Sequence, residues 1–232
     1  ANFPDAEASF AEALEIRRQV DEPWGIALTL VGAGAVQYEQ GRVAPAMAHW
    51  EEGVRVATAI GDRELIAILA NNLAEGHIAT GRAEAAQALL ATAYETASEI
   101  GDKRTLADIV RNKASLALQR GHVGRAYALI SDALSLAEGL RAKQLIGVIL
   151  RTMGEVLGQA LAVSEHLPGV QNADKLASKS FQRSMSYFEE MGDVVGLART
   201  MAAYGDFLEG RGVGNKARKL KQRSAELLST GT

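Results

Sequence analysis

The sequence contains no cysteine. That removes a disulfide framework, a thiolate nucleophile and any cysteine-based zinc site. It also fits a reducing compartment, so a cytoplasmic location is expected. Proline is scarce, with four in 232 residues, and aromatic residues make up 5% of the chain. Few aromatics and abundant alanine favour closely packed helices over a β-sandwich. No apolar run is expected to approach the roughly 20 residues that a membrane-spanning helix needs. No basic stretch followed by an apolar one marks a secretory leader, and no initiator Met is present. The net charge of -3 gives no global attraction to nucleic acid or to an anionic membrane.

Catalytic and metal-binding patterns are missing as well. The histidines are His49, His77, His122 and His166, and none stands four residues from another, as a paired-histidine zinc motif requires. His49 and Glu52 lie one helical turn apart, with no third ligand in line. There is no phosphate-binding Gly-rich loop ending in Lys-Ser/Thr and no Gly-x-Ser-x-Gly nucleophile. Glu51-Glu52 and Glu189-Glu190 are adjacent carboxylates, not a pair opposed across a cleft. The expectation is a chain without catalytic residues, metal or cofactor, and not an enzyme.

What is present is a repeat. The chain is 47% hydrophobic and 23% charged, enough apolar surface for a substantial core. The pattern small-x-x-x-large-x-x-small occurs at Ala6, Phe10, Ala13; Ala46, Trp50, Gly53; Ala86, Leu90, Ala93; and Ala126, Ile130, Ala133, each 40 residues after the last. It returns 51 residues on at Ala177, Phe181, Ser184, and 40 further at Ala217, Lys221, Ser224. Two other markers keep this phase. Gly-Asp falls at Gly61-Asp62, Gly101-Asp102 and Gly192-Asp193, and a lone glycine at Gly41, Gly81, Gly121 and Gly212. All agree on one period and one insertion of 11 residues.

Each period resolves into two helices with apolar residues at three- and four-residue spacing, as in 63–80 and 83–100. Gly81 and Gly101 stand where those helices must stop, and glycine tolerates the left-handed conformation that closes them. Asp102 is placed to accept from free N–H groups of the next helix. Pro4, Pro23 and Pro45 lie near helix starts, where a missing N–H costs little, and Pro168 lies in the insertion.

These residues resemble the tetratricopeptide repeat (TPR). Leu73-Ala74 matches the Leu-Gly pair of its first helix, Gly81 its turn, and Ala86, Leu90 and Ala93 its second-helix signature. The 40-residue period ending in Gly-Asp is most similar to the longer subtype of Leu-Gly-Asn repeat scaffolds and bacterial regulator sensor regions. The resemblance implies an all-α fold, an α-α superhelix of about eleven antiparallel helices in one solenoid over 1–232. Its parts would be a half repeat at 4–20, repeats at 24–60, 63–100, 103–139 and 143–190, with the insertion near 163–174, and a C-terminal cap at 194–229. Arg141-Ala142 replaces Gly-Asp, Leu161 stands where a turn glycine would be, and Lys221 replaces a large apolar residue, as suits a terminal helix. The unpaired first helix leaves Ala6, Phe10 and Ala13 to face a preceding helix, either in a longer chain or in another subunit.

Function would then sit in a concave groove lined by the first helix of each pair. The family's groove positions fall on Asn71, Asn72 and Glu75; on Asp108, Arg111, Asn112 and Ser115; on Arg151, Thr152 and Glu155; and on Arg199 and Asp206. Asn72 and Asn112 match its peptide-contacting asparagine. Asparagines can bond a peptide backbone, and Arg111 and Arg151 could fork onto a partner's carboxylates. The bland alternative is that these charges pair with one another along a solvated face. The lysines of the family's carboxylate clamp are missing. The expected partner is a protein or peptide, with no membrane and no nucleic acid, and self-association through the terminal helices is a further option. On this reading, Arg111→Ala with Arg151→Ala weakens binding and leaves stability nearly unchanged. A second reading is a sensor segment of a larger bacterial signalling or transcription-regulating protein. The insertion is either a functional loop or a longer helix with a turn at Pro168-Gly169 and a cap by Asp174. The basic run Lys216, Arg218, Lys219, Lys221 and Arg223 could serve nucleic acid or an acidic partner, but with no aromatic interleaved it reads better as a solvated cap face.

Overall fold

A computed structural model describes residues 3–229. Among them every regular element is an α-helix: α1 Phe3–Gln19, α2 Pro23–Glu39, α3 Val43–Ile60, α4 Arg63–Ala79, α5 Ala83–Ile100, α6 Lys103–Gln119, α7 Val123–Gly139, α8 Lys143–Ala162, α9 Ala173–Met191, α10 Val194–Gly210 and α11 Gly214–Ser229.

The Gly-Asp pairs act as two-residue hinges between helices. Gly61 ends α3 in the left-handed conformation, φ 70°, which a Cβ would disfavour. Asp62 then accepts from the Leu65 amide at 2.9 Å and opens α4. Asp102 does the same for the Arg104 and Thr105 amides, both at 3.0 Å, and Asp193 for Gly196 at 2.8 Å. Where the pair is lost, the backbone keeps its course without the suitable residues. Arg141 sits at φ 53°, and Ala142 offers α8 no side-chain cap. A left-handed L-residue costs about 1–2 kcal/mol, partly offset by the greater freedom of glycine when unfolded. Arg141→Gly should therefore stabilise the protein by about 0.5–1 kcal/mol. Urea unfolding checks this: the midpoint should rise with an unchanged slope.

The chain divides into two compact units, 2–116 and 117–232, with the boundary inside α6. In the N-terminal unit the large residue of the repeat signature plugs a gap on a neighbouring helix. Trp50 of α3 is 2% exposed and donates from Nε1 to the Val31 carbonyl at 3.3 Å. Gly34 of α2 makes this possible, since a Cβ there would lie 2.2 Å from Trp50 Nε1. Leu90 of α5 fills a second cluster with Ala70, Ala74, Ala86 and Ile109. Phe10 of α1 lays its ring over Gly32 of α2 and stays half-buried.

In the C-terminal unit Phe181 of α9 is fully buried, stacks on Tyr204 of α10 with ring centroids 5.2 Å apart, and would clash with any Cβ on Gly154 of α8. Phe188 occupies the space left by Gly147 and Gly196 in the same way. By average hydropathy α8 is long and apolar enough to cross a membrane, but 61% of that stretch is buried, so its apolar residues serve the core. The insertion runs from Val163 to Asn172 between α8 and α9. Its Leu167 is buried, and its Glu165 accepts from the Gly124 amide at the start of α7, 3.0 Å away. Asn172, not Asp174, caps α9, accepting from the Lys175 amide at 2.9 Å. Asp174 lies two residues later, already inside the helix, and pairs with Arg211 at 2.8 Å.

Candidate interaction surfaces

Side chains of α4 and α6 meet in a closed polar cluster in the N-terminal unit. Asn112 Nδ2 donates to Asn71 Oδ1 at 3.0 Å, and Asn71 Nδ2 donates to Asp108 Oδ2 at 2.8 Å. Arg111 donates from Nε to Asp108 Oδ1 at 2.6 Å and from Nη2 to Glu75 Oε2 at 3.2 Å. Arg111 is 5% exposed, Asn71 2% and Asn112 0%. Burial alone would push the Arg111 guanidinium down. The charges of Asp108 and Glu75 and their hydrogen bonds outweigh it and raise it above its usual value, so it stays charged. The expectation that Arg111 forks onto a partner's carboxylate is corrected here: its donors are aimed at two carboxylates of its own chain. Asn71 and Asn112 are likewise too buried to offer themselves to a partner. Glu75 and Asp108, with side chains 26% and 29% exposed, form the accessible rim. Asn72 and Ser115 are half-buried.

In the C-terminal unit the expected residues divide. Thr152 is buried and donates within α8 to the Val148 carbonyl at 3.4 Å, so it is not open to a partner. Arg151 and Arg199 are half-buried, while Glu155 is exposed. Glu155 borders a cleft of about 340 Å³ between α8 and α10, with Gln159, Asp206 and Arg211 at its polar edge. Its floor is Phe181, Ala203 and Phe207. Gly154 and Gly158 of α8, one turn apart, line it and let the rings approach: a Cβ on Gly154 would lie 2.6 Å from Phe181, and one on Gly158 3.1 Å from Phe207. The groove positions brought Glu155 and Asp206 to this cleft but passed over Phe207 and Gly158. Two glycines at helical spacing inside a helix, otherwise a cost to stability, were the available signal.

The remaining features are plainer. A cleft of about 330 Å³ between α1, α2 and α3 is lined by Phe10, Leu14, Val36, Gln37 and His49. Burial holds His49 and His77 below the usual histidine value; at His49 the Glu52 carboxylate opposes it and Arg18 adds to it, and at His77 Arg82 adds to it while Glu51 opposes. Among the described residues no group of three His, Asp or Glu could hold a metal ion. The C-terminal basic run is largely engaged. Lys221 pairs with Asp206 and Glu209 at 2.6 and 2.5 Å, Arg223 with Glu226 at 3.2 Å, and Lys216 lies over the Tyr204 ring at 5.0 Å.

The fold is of the all-α, TPR-like repeat class. BtubC (BKLC) from P. vanneervenii superposes with a TM-score of 0.62 at 17% identity, covering 99% of this chain and 92% of that one. A Podosopora anserina kinesin light chain protein of nearly identical TPR-like repeats gives 0.50 at 13% identity, covering 87% and 94%. No protein-family model and no curated protein matches the sequence. At these identities the likeness concerns the fold alone.

Proposed function

We propose that this chain is a non-catalytic interaction module that takes a segment of a partner protein along the first helices of its pairs, and that its repeats are the 40-residue, Gly-Asp-ending TPR subtype. The observation that carries this reading is the α8–α10 cleft. It has an aromatic floor, a polar edge of Glu155, Gln159, Asp206 and Arg211, and a wall that includes Gly154 and Gly158. An apolar floor supplies contact area and a polar edge supplies orientation, the anatomy of a side-chain-sized recognition pocket. The cysteine-free sequence supports a cytoplasmic setting.

Ala162 lies exposed at the mouth of the cleft. A photoreactive residue at Ala203 should cross-link a single partner segment from native lysate. Ala162→Trp should abolish that cross-link without changing the melting temperature. Equal cross-linking with the tryptophan in place removes the cleft from the binding surface.

A sensor segment is the second reading, favoured by the same cleft, since about 340 Å³ falls within the range of small-molecule sites. A metabolite panel read by thermal shift separates the two. A small ligand that stabilises the parent chain but not Ala162→Trp supports the sensor.

A further inference from the structure

We propose that this chain binds a second copy of itself head to tail, with the α11 face of one copy docked on an apolar patch that α1 and α2 of the other present. The proposal goes beyond the interaction-module reading and uses surfaces other than the α8–α10 cleft.

The receiving surface is apolar. Ile16 of α1, Val20 in the turn that follows, and Trp24 and Leu28 of α2 stand at four-residue intervals, each between 40% and 65% exposed. Four of the twelve exposed large apolar residues fall within these 13 positions, so they form a concentration and not the usual scatter. An exposed tryptophan in such a patch is a common anchor of an interface. At these exposures the four side chains offer on the order of 400 Å² per copy, within the range of patches that mark binding sites. A stable interface takes about 800 Å² from each partner, so charge has to add to the apolar contact.

The free charges beside the patch have one sign. Glu12 and Asp21 are exposed, and their side chains pair with no other described residue. The cations nearby are engaged, Arg17 with Glu22 at 3.6 Å and Arg18 with Glu52 at 2.6 Å.

The complementary face is on α11. Ala217 and Ser224 turn inward, and Ser224 donates to the Ala198 carbonyl at 2.7 Å. Arg218, Ala225 and Leu228 share an outward face through their seven- and three-residue spacing, with Lys219 next to Arg218. All four are exposed. Lys221 and Arg223 are held by carboxylates of their own unit, whereas Arg218 and Lys219 pair with no other described residue. One face therefore offers apolar surface with free carboxylates, and the other offers apolar surface with free cations.

The charge of each unit sets the direction. Residues 2–116 carry 17 Asp and Glu against 10 Lys and Arg, net -7, whereas 117–232 carry 11 against 15, net +4. Two patches placed face to face would bring -7 against -7. The patch against α11 brings -7 against +4, and opposite charge both steers encounter and suppresses the like-charged pairing. The contact is thus heterologous, joining two different surfaces of the same chain.

The test uses the full chain in sedimentation velocity, from about 10 μM to about 0.5 mM, a range that covers weak association. The sedimentation coefficient of the parent should rise with concentration, and raising salt from about 0.05 to 0.5 M should reverse most of the rise. A head variant carries Val20→Asp with Leu28→Asp, and a tail variant carries Arg218→Glu with Lys219→Glu. The four side chains are exposed, so circular dichroism should show an unchanged fold. Each variant alone should stay monomeric. Their equimolar mixture should restore a one-to-one complex, because the tail variant keeps the patch and the head variant keeps the α11 face. Trp24 supplies a second readout: the other tryptophan, Trp50, is 2% exposed, so a blue shift on mixing reports burial of Trp24. Should the head variant unfold, Val20→Ser with Leu28→Ser takes its place. A parent that stays monomeric at about 0.5 mM overturns the proposal. So does a tail variant that associates as the parent does, or a mixture that stays monomeric. The cross-link at Ala203 reports separately on the interaction-module reading, so the two can fail independently.

Discussion

Arg111→Ala should lower the stability of the N-terminal unit by about 3 kcal/mol, far more than an exposed arginine would. Removing one partner of a buried charge pair typically costs about 3–5 kcal/mol, because the remaining charges stay desolvated and unpaired. The lower figure applies here because Glu75 and Asp108 are each about a quarter exposed and can recover some hydration. At about 2–4 °C per kcal/mol for a chain of this size, the melting transition should move by roughly 10 °C. Arg111→Lys keeps the charge but loses the planar fork onto two carboxylates, and should fall between. Thermal unfolding followed by circular dichroism reads both. A shift of only a degree or so for the alanine variant would mean that the guanidinium is solvated and that the cluster is an ordinary surface pair.

The second large effect belongs to Phe181. Phe181→Ala should cost about 3–5 kcal/mol, since the ring is fully buried against Tyr204, Phe207 and the bare backbone of Gly154. Gly154→Ala alone should cost about 1–3 kcal/mol by overpacking, because its new Cβ would lie 2.6 Å from Phe181 Cζ. The informative variant joins Gly154→Ala with Phe181→Leu. The smaller side chain makes room for the methyl, so the double variant should lose less than the sum of the two single losses. Denaturant titrations of the four proteins measure that coupling. Strict additivity would show that ring and glycine do not share the space.

Much of the fold was legible because the repeat is written in residues with single uses. Gly61-Asp62, Gly101-Asp102 and Gly192-Asp193 say where one helix ends and the next begins, and the backbone there does what glycine and aspartate permit. Arg141 departs from this rule. The turn survives without its glycine because the helices around it dictate the path, so a local rule yields to packing. The α9 cap was misplaced for a similar reason. Asn172 and Asp174 are both suitable residues, and only the end of the loop decides between them.

The candidate sites were less legible. A position in a repeat states which way a side chain leaves its helix, not what waits for it. Arg111 does leave α6 on the side of α4, but Glu75 and Asp108 are already there, and the asparagines fill the space behind them. Phe207 was passed over because the family positions stop short of it, although Gly158 one helix away already marked room for a ring.

The pairing of large side chains with missing ones has a consequence for anyone who would treat these repeats as interchangeable bricks. Trp50 needs Gly34, Phe181 needs Gly154, and the stem of Lys221 needs Gly205, whereas the slimmer Leu90 shares its layer with Ala74. A period cut out and pasted one place along would bring a plug of the wrong gauge to its socket. Shuffled or lengthened versions of this chain should therefore tolerate exchange of whole plug-and-socket couples and reject exchange of single helices.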